Sequence, residues 1–158
     1  MSGKSGKIDA RLAELGIELP APAAPVASYV PFVQTGNLVI ISGQITMEDG
    51  AVKYSGKLGS EVSVEDGYAA ARLCAINLLA QLKAACGGDL DRVKRVVRLG
   101  GFVACSPDFS DHPKVINGAS DLMAEVFGDA GQHARAAVGA PSLPLNVTVE
   151  VEGMFEID

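Results

Sequence analysis

The order of hydrophobic patterns predicts a single α+β domain in which two helices cover one face of a mixed β-sheet. The last stretch alternates strictly. Val147, Val149, Val151, Phe155 and Ile157 share one side of a strand, and Thr148, Glu150, Glu152 and Glu156 share the other. Further back, Val64, Tyr68, Ala71, Ala75, Leu78, Leu82 and Cys86 recur at three- and four-residue steps, the apolar stripe of a long helix lying on a sheet. Near the start, two β-rich runs, Tyr29 to Gln34 and Leu38 to Gly43, flank Thr35-Gly36-Asn37, where Gly36 and Asn37 readily adopt the positive φ of a tight hairpin turn.

From the N-terminus, Ser2 to Lys7 reads as a flexible leader. Its Gly-Lys-Ser lacks both the preceding strand and the first glycine of a phosphate-binding loop. Ile8, Leu12 and Leu15, followed by Gly16, mark a short amphipathic helix, and Pro20 to Pro25 an extended Ala/Pro connector. Residues 1–25 therefore form an N-terminal extension and 26–158 the domain. Leu38-Val39-Ile40-Ile41 is apolar on both faces, which predicts a buried central strand. Glu48-Asp49-Gly50 predicts a turn into a short strand near Val52 to Tyr54. Ser63 caps the long helix, Asp66 sits in its first turn, and Gly87-Gly88 stops it after Cys86. Asp89 and Asp91 cap a brief turn before a strand from Val93 to Ala104, whose Gly100-Gly101 pair signals a bulge or a close approach by another chain. A polar loop, Pro107 to Pro113, leads to a second helix from about Pro113 to Phe127, stopped by Gly128.

Composition narrows the function classes. The 158 residues carry 19 acidic and 13 basic side chains, a net charge of -6, which opposes binding to nucleic acid or an anionic membrane surface. No run is long enough to span a membrane, and the basic Met1 to Lys7 is followed by an amphipathic segment rather than the apolar core of a signal peptide. Cys74, Cys86 and Cys105 are odd in number and irregularly spaced, which suits reduced thiols, with Cys74 and Cys86 in the core. The cytoplasm is the expected compartment. His112 with Cys105, Asp108 and Asp111 matches no metal-ligand spacing, so no metal site is expected. Ser42 belongs to no nucleophile triad, because neither His112 nor His133 lies in a recognisable context for one. Asn146-Val147-Thr148 falls in a strand and is an accidental glycosylation triplet.

The C-terminal stretch from Ala134 to Glu152 reads as a strand, a proline-bounded turn and a second strand. Folding about Pro141 to Pro144 puts Glu150 directly across from Arg135, either as a solvated cross-strand ion pair or as the start of a site. The carboxylates on the uncovered face of the last strand predict self-association into a ring with clefts between subunits.

Three blocks of the chain resemble the Rid/YjgF reactive-intermediate deaminases, formerly called L-PSP endoribonucleases. The first is Ala21-Pro22 through Tyr29-Val30 to Gly36-Asn37-Leu38-Val39-Ile40-Ile41-Ser42-Gly43-Gln44. The second is the long helix, its following strand with Phe102-Val103, and Ile116-Asn117 on the next helix. The third is Ala134-Arg135 through Leu143-Pro144 to Val149-Glu150-Val151-Glu152. Together they span most of the chain from about Ala21 onward. The resemblance implies a chorismate-mutase-like α+β fold assembled as a homotrimer with pockets at the subunit boundaries. It also implies hydrolysis of 2-imino or 2-enamino carboxylates to 2-oxo acids and ammonia, without metal or organic cofactor. By motif, Arg135 grips the substrate carboxylate, Glu150 lies near the reactive centre, and Tyr29 lines the pocket from the neighbouring subunit. Asn117 helps to shape the pocket, Ser42 sits at its edge, and backbone groups at Ala137 contact the ligand.

The chemistry is coherent by itself. A planar guanidinium matches a carboxylate with two parallel hydrogen bonds. An imine carbon is already electrophilic, so a general base such as Glu150 need only orient a water and handle protons. Many active relatives carry a cysteine two positions after the arginine, where this chain has Ala137. The extension, the Ser106 to Pro113 loop and the Gly139 to Pro144 turn look longer than in shorter members. The alternative is a non-catalytic trimeric module that binds a small carboxylate or regulates through it. A ribonuclease follows only from the older family name and is disfavoured by the acidic charge.

Overall fold

The computed structural model describes residues 5–25 and 27–158; the start of the predicted leader and one connector residue, Val26, lie outside them. In chain order the elements are α1 (Lys7–Glu14), β1 (Phe32–Thr35), β2 (Leu38–Ile45), β3 (Met47–Glu48), β4 (Ala51–Val52), α2 (Val64–Ala85), β5 (Val93–Ala104), α3 (His112–Phe127), β6 (Ala134–Ala140) and β7 (Val149–Ile157). The strictly alternating strand, β7, is the middle of a five-stranded sheet of order β1-β2-β7-β5-β6. It runs antiparallel to both β2 and β5. Val149, Val151, Phe155 and Ile157 are fully buried, and α2 and α3 pack together over that face.

Local chemistry accounts for the helices. The Ser63 side chain accepts from the backbone N–H of Asp66 at 3.1 Å and closes the first turn of α2. Beyond α2 the chain turns through Gly87 and Gly88, at φ 65 and 95. α3 approaches the sheet closely at Gly101, where a Cβ would meet the Ile116 side chain at 2.5 Å. At Gly101 the close approach is therefore by a helix of the same protomer, whereas a Cβ at Gly100 would meet the Glu152 side chain on the other face. The irregularities of β5 lie earlier, between Val93 and Arg95 and between Val96 and Arg98.

One sequence expectation is overturned, with consequences for the site. β6 and β7 do not form a hairpin. β6 pairs in parallel with β5, matching Leu99 with Arg135 and Gly101 with Ala137, whereas β7 enters on the other side of β5. α3 supplies the crossover that parallel pairing needs. The chain then leaves β6 through a loop containing a short 3-10 turn, Pro144–Asn146, in which Leu145 and Asn146 take positive φ. Thr148 also departs from the predicted polar face, being fully buried, while its neighbour Val147 bridges Ser55.

α1 is fastened from a distance. It has no cap of its own; instead the Asp91 carboxylate accepts from the backbone N–H groups of Lys7 and Ile8, at 2.9 Å each. Those bonds hold the Asp91 carboxyl below the usual carboxylate range. Leu12 is buried in the main core. Among the described residues no helix is long and apolar enough to cross a membrane.

Candidate functional site

Sheet register sends Arg135 and Glu150 to opposite faces. Arg135 is level with Leu99, a fully buried core residue, so its side chain lies on the helix-covered face. Glu150 stands between the fully buried Val149 and Val151, so its side chain points to the uncovered face. Two strand spacings, roughly 10 Å, separate their strands as well. The cross-strand pair read from the sequence is absent, because it assumed a tight hairpin where the chain makes a crossover.

The Arg135 edge is a braced hydrogen-bond network. Nη1 donates to Asn117 Oδ1 at 2.9 Å and to Ser120 Oγ at 3.0 Å, and Nη2 donates to the Pro113 carbonyl at 3.3 Å. Ser120 Oγ in turn lies 2.8 Å from His133 Nε2, and His133 Nδ1 lies 2.6 Å from the Gly131 carbonyl. A carbonyl only accepts, so Nδ1 carries the proton; in the neutral ring Nε2 then accepts from the Ser120 hydroxyl. Arg135 has no acidic partner among the described residues, and its Nε makes no hydrogen bond there. It presents unused donors of a planar fork. Ala137 lies two positions along β6 on the same face, packed against the core.

On the uncovered face of the central strand β7, Glu150 lines a cavity of about 140 Å³ together with Tyr29, Gly43, Ile45, Asn77 and Leu145. β2 bulges between Ile41 and Gln44. There Gly43 leaves the only space for the Glu150 carboxyl, since a Cβ at this position would collide with it. Loss of hydration, and then the nearby Glu152 charge, push the Glu150 carboxyl above the usual carboxylate range. Its neighbours on that face are better matched: Glu152 lies 3.4 Å from Arg98, and Glu156 is level with Arg95. Glu150 faces Phe102 and Ile45 across its two neighbouring strands. Ser42 is spent on structure, donating through Oγ to the Val30 carbonyl at 2.7 Å. That bond holds the segment carrying Tyr29, which is 46% exposed, against β2.

One protomer thus brings together Tyr29, Ser42 and Glu150 beside the β2–β7 pair, and Arg135, Asn117 and Ala137 at the β6 edge. Ser120 escaped the sequence reading, although Asn117 and Ser120 are three apart, a spacing that puts both on one side of a helix, and His133 was considered there only as a triad member. The predicted absence of a metal pattern concerned Cys105 and His112; their Sγ and Nε2 lie 3.4 Å apart. Among the described residues no group of three or more His, Cys, Asp or Glu side chains could hold a metal ion.

A mixed sheet covered on one face by two helices, with an arginine lacking an acidic partner among the described residues at the β6 edge and a desolvated carboxylate on the uncovered face of the central strand, places the chain in a class of small α+β proteins. Residues 9–157 match the family described as YjgF/chorismate mutase-like, putative endoribonuclease, and the chain belongs to that family. It is 48% identical over 155 residues to Protein TCP17 of Trypanosoma cruzi, covering 98% of this chain and 96% of the relative. The crystal structure of protein Atu1372, of unknown function, from Agrobacterium tumefaciens shares 51% identity. It superposes with a TM-score of 0.90 over 96% of this chain and 92% of that one. More distantly, the chain is 28% identical over 142 residues to a 2-iminobutanoate/2-iminopropanoate deaminase of Dermatophagoides farinae, covering 90% and 95% of the two chains.

Proposed function

We propose that the chain hydrolyses small 2-imino and 2-enamino carboxylates to 2-oxo acids and ammonia, at a site completed between the subunits of a homotrimer. The observation that carries this reading is the separation of two complementary groups, each left without its natural partner. Arg135 has unused donors for a carboxylate, and Glu150 is a base without a cation. The family, and the relative named as a 2-iminobutanoate/2-iminopropanoate deaminase, favour the same chemistry.

Self-association has its own support on the uncovered face. One cross-strand row reads Val33, Ile40, Met154 and Arg98, and another reads Ile45, Glu150, Phe102 and Val138. Val33, Ile40 and Val138 are 49%, 37% and 47% exposed, an apolar surface that a second copy would cover and that lies beside Glu150. A neighbour seated there can bring its own Arg135 edge towards the Glu150 cavity.

In the proposed reaction the fork of Arg135 binds the substrate carboxylate. Glu150 takes a proton from a water as its oxygen attacks the imine carbon, and passes that proton to the imine nitrogen, giving a carbinolamine. The carbinolamine hydroxyl then loses its proton to Glu150, which hands it to the nitrogen as the C–N bond breaks, so that the 2-oxo acid forms and ammonia leaves. The step as written draws on neither a metal nor an organic cofactor. A second reading, a trimeric module that binds a small carboxylate without turnover, is favoured by Ala137, which offers no side-chain functional group beside Arg135.

The test is the decay of 2-iminopropanoate, generated from alanine by an amino-acid oxidase and trapped with semicarbazide. Wild-type protein should suppress the trapped product, and Arg135→Ala should abolish the effect while leaving the oligomer intact. Undiminished activity in that variant overturns the assignment, and binding of a 2-oxo acid without acceleration selects the module.

A further inference from the structure

α2 buries two carboxamides one helical turn apart, and neither belongs to its apolar stripe. Asn77, 9% exposed, donates through Nδ2 to the carbonyls of Ile45 and Met47, at 3.0 Å each. Gln81, 2% exposed, donates through Nε2 to the carbonyl of Ala23 at 2.8 Å. Burying an amide costs free energy unless its polar atoms are paired, so these side chains are anchored to what they hold. What they hold is the wall of the Glu150 cavity: Ile45 and Met47 come from the end of β2 and from β3, and Ala23, Ala24 and Pro25 from the N-terminal arm.

The arm depends on that anchor. Its helical end is held by Asp91, by Lys83 Nζ to Asp9 at 3.0 Å, and by Arg11 Nε donating to the Glu125 carbonyl at 2.8 Å. Beyond α1 it stands off α2 around a cavity of about 530 Å³, lined by Leu12, Ile17, Leu19, Ala80 and Gly88 among others. Among the described residues, Gln81 makes the one side-chain hydrogen bond to residues 18–25.

We propose that Asn77 and Gln81 are positioning residues that fix the walls of the Glu150 cavity. The arm pinned by Gln81 then sets an upper size limit on the substrate, a 2-imino carboxylate with a small aliphatic side chain. This rests on the deaminase reading of the site. A cavity of roughly 150 Å³ admits a molecule the size of benzene, and 2-iminopropanoate has as many heavy atoms as benzene. At about 140 Å³ the cavity suits that imine better than the imines of leucine or phenylalanine. Its lining is mainly apolar and Glu150 is its one charged group among the described residues, so a second, side-chain carboxylate is repelled, while the substrate's own carboxylate meets the neighbour's Arg135.

The experiment compares kcat/KM of the full chain for imines generated from alanine, leucine and phenylalanine, with binding of the corresponding 2-oxo acids by calorimetry as a readout independent of turnover. Wild type should favour the alanine-derived compounds. Gln81→Leu, which keeps the bulk and removes the donor, should relax the alanine-to-leucine preference by about tenfold or more, chiefly through KM for the larger compound. Gln81→Asn, a shorter donor, should restore part of it, and Ala24→Leu should sharpen it. An unchanged preference in folded Gln81→Leu and Ala24→Leu overturns the proposal. If the 2-oxo acids bind in the expected size order but no imine decays faster, the deaminase reading fails and the size limit stands.

Discussion

The edge strand β6 and the central strand β7 hold their functional groups in opposite ways. At β6, Arg135 is supported by two layers of partners: Asn117, Ser120 and the Pro113 carbonyl touch it, and His133 braces Ser120 from behind. At β7, Glu150 has no such support; apolar walls surround it, and its carboxyl is raised above the usual range mainly by lost hydration. Under the proposed function, the positive group that must hold a fixed direction is the braced one, and the base that must accept a proton is the one stripped of water. Neither arrangement forms a site alone, which is why the proposed function places them on two subunits.

The sharpest way to break the contrast is at Glu150. Glu150→Gln should lower kcat by about 10²–10³-fold while leaving Tm at neutral pH equal or higher. The sign follows from the raised carboxyl. Below the ordinary carboxylate range Glu150 is neutral in both folded and unfolded chains and matches the amide. As pH rises through its raised value, the wild type must keep a charge in a half-buried place and loses stability relative to the variant. The acid limb of the wild-type rate profile should lie above pH 4.5, the ordinary glutamate value; a limb at or below it contradicts the assignment of Glu150 as the base.

Next comes the seat of α3, on which the Arg135 edge depends. Gly101→Val would drive a side chain into Ile116 and should cost roughly 1–3 kcal/mol in urea unfolding, with Arg135-dependent binding weakened in parallel. Ser120→Ala should be milder, raising KM by about five- to tenfold with kcat little changed, since it loosens the anchor rather than the base. The smallest effect belongs to Asp91→Ala, which removes the remote cap of α1 and should lower Tm by a few degrees. The Asp91 carboxyl is depressed in the folded chain, so its contribution is present above pH 3.8. The gap between variant and wild type should close as pH falls through the depressed value.

Much of the fold was legible because the periodicities are clean. The alternation of β7, the stripe of α2 and the Gly36-Asn37 turn all follow from side chains that must reach one core. Strand order was not legible from local symmetry. Arg135 and Glu150 are equidistant from the centre of the Pro141–Pro144 segment, yet the helix between β5 and β6 was the stronger clue, since parallel partners need such a crossover. Of the site, the residue types were legible and their distribution was not. Asn77 and Gln81, unremarked in the sequence reading, are carboxamides within the run of α2 between Arg72 and Lys83 that is otherwise apolar, a pattern that asks what they bond. What they bond, an arm remote in sequence, depends on tertiary packing that no local pattern contains.

The shared site is tested most directly by mixing subunits. Arg135→Ala and Glu150→Ala proteins, each inactive alone, should regain imine hydrolysis when co-expressed and co-assembled, because some interfaces then join an intact Arg135 from one variant to an intact Glu150 from the other. Co-assembled oligomers that stay as inactive as their parents, beside an active wild type, would contradict a site built from two subunits.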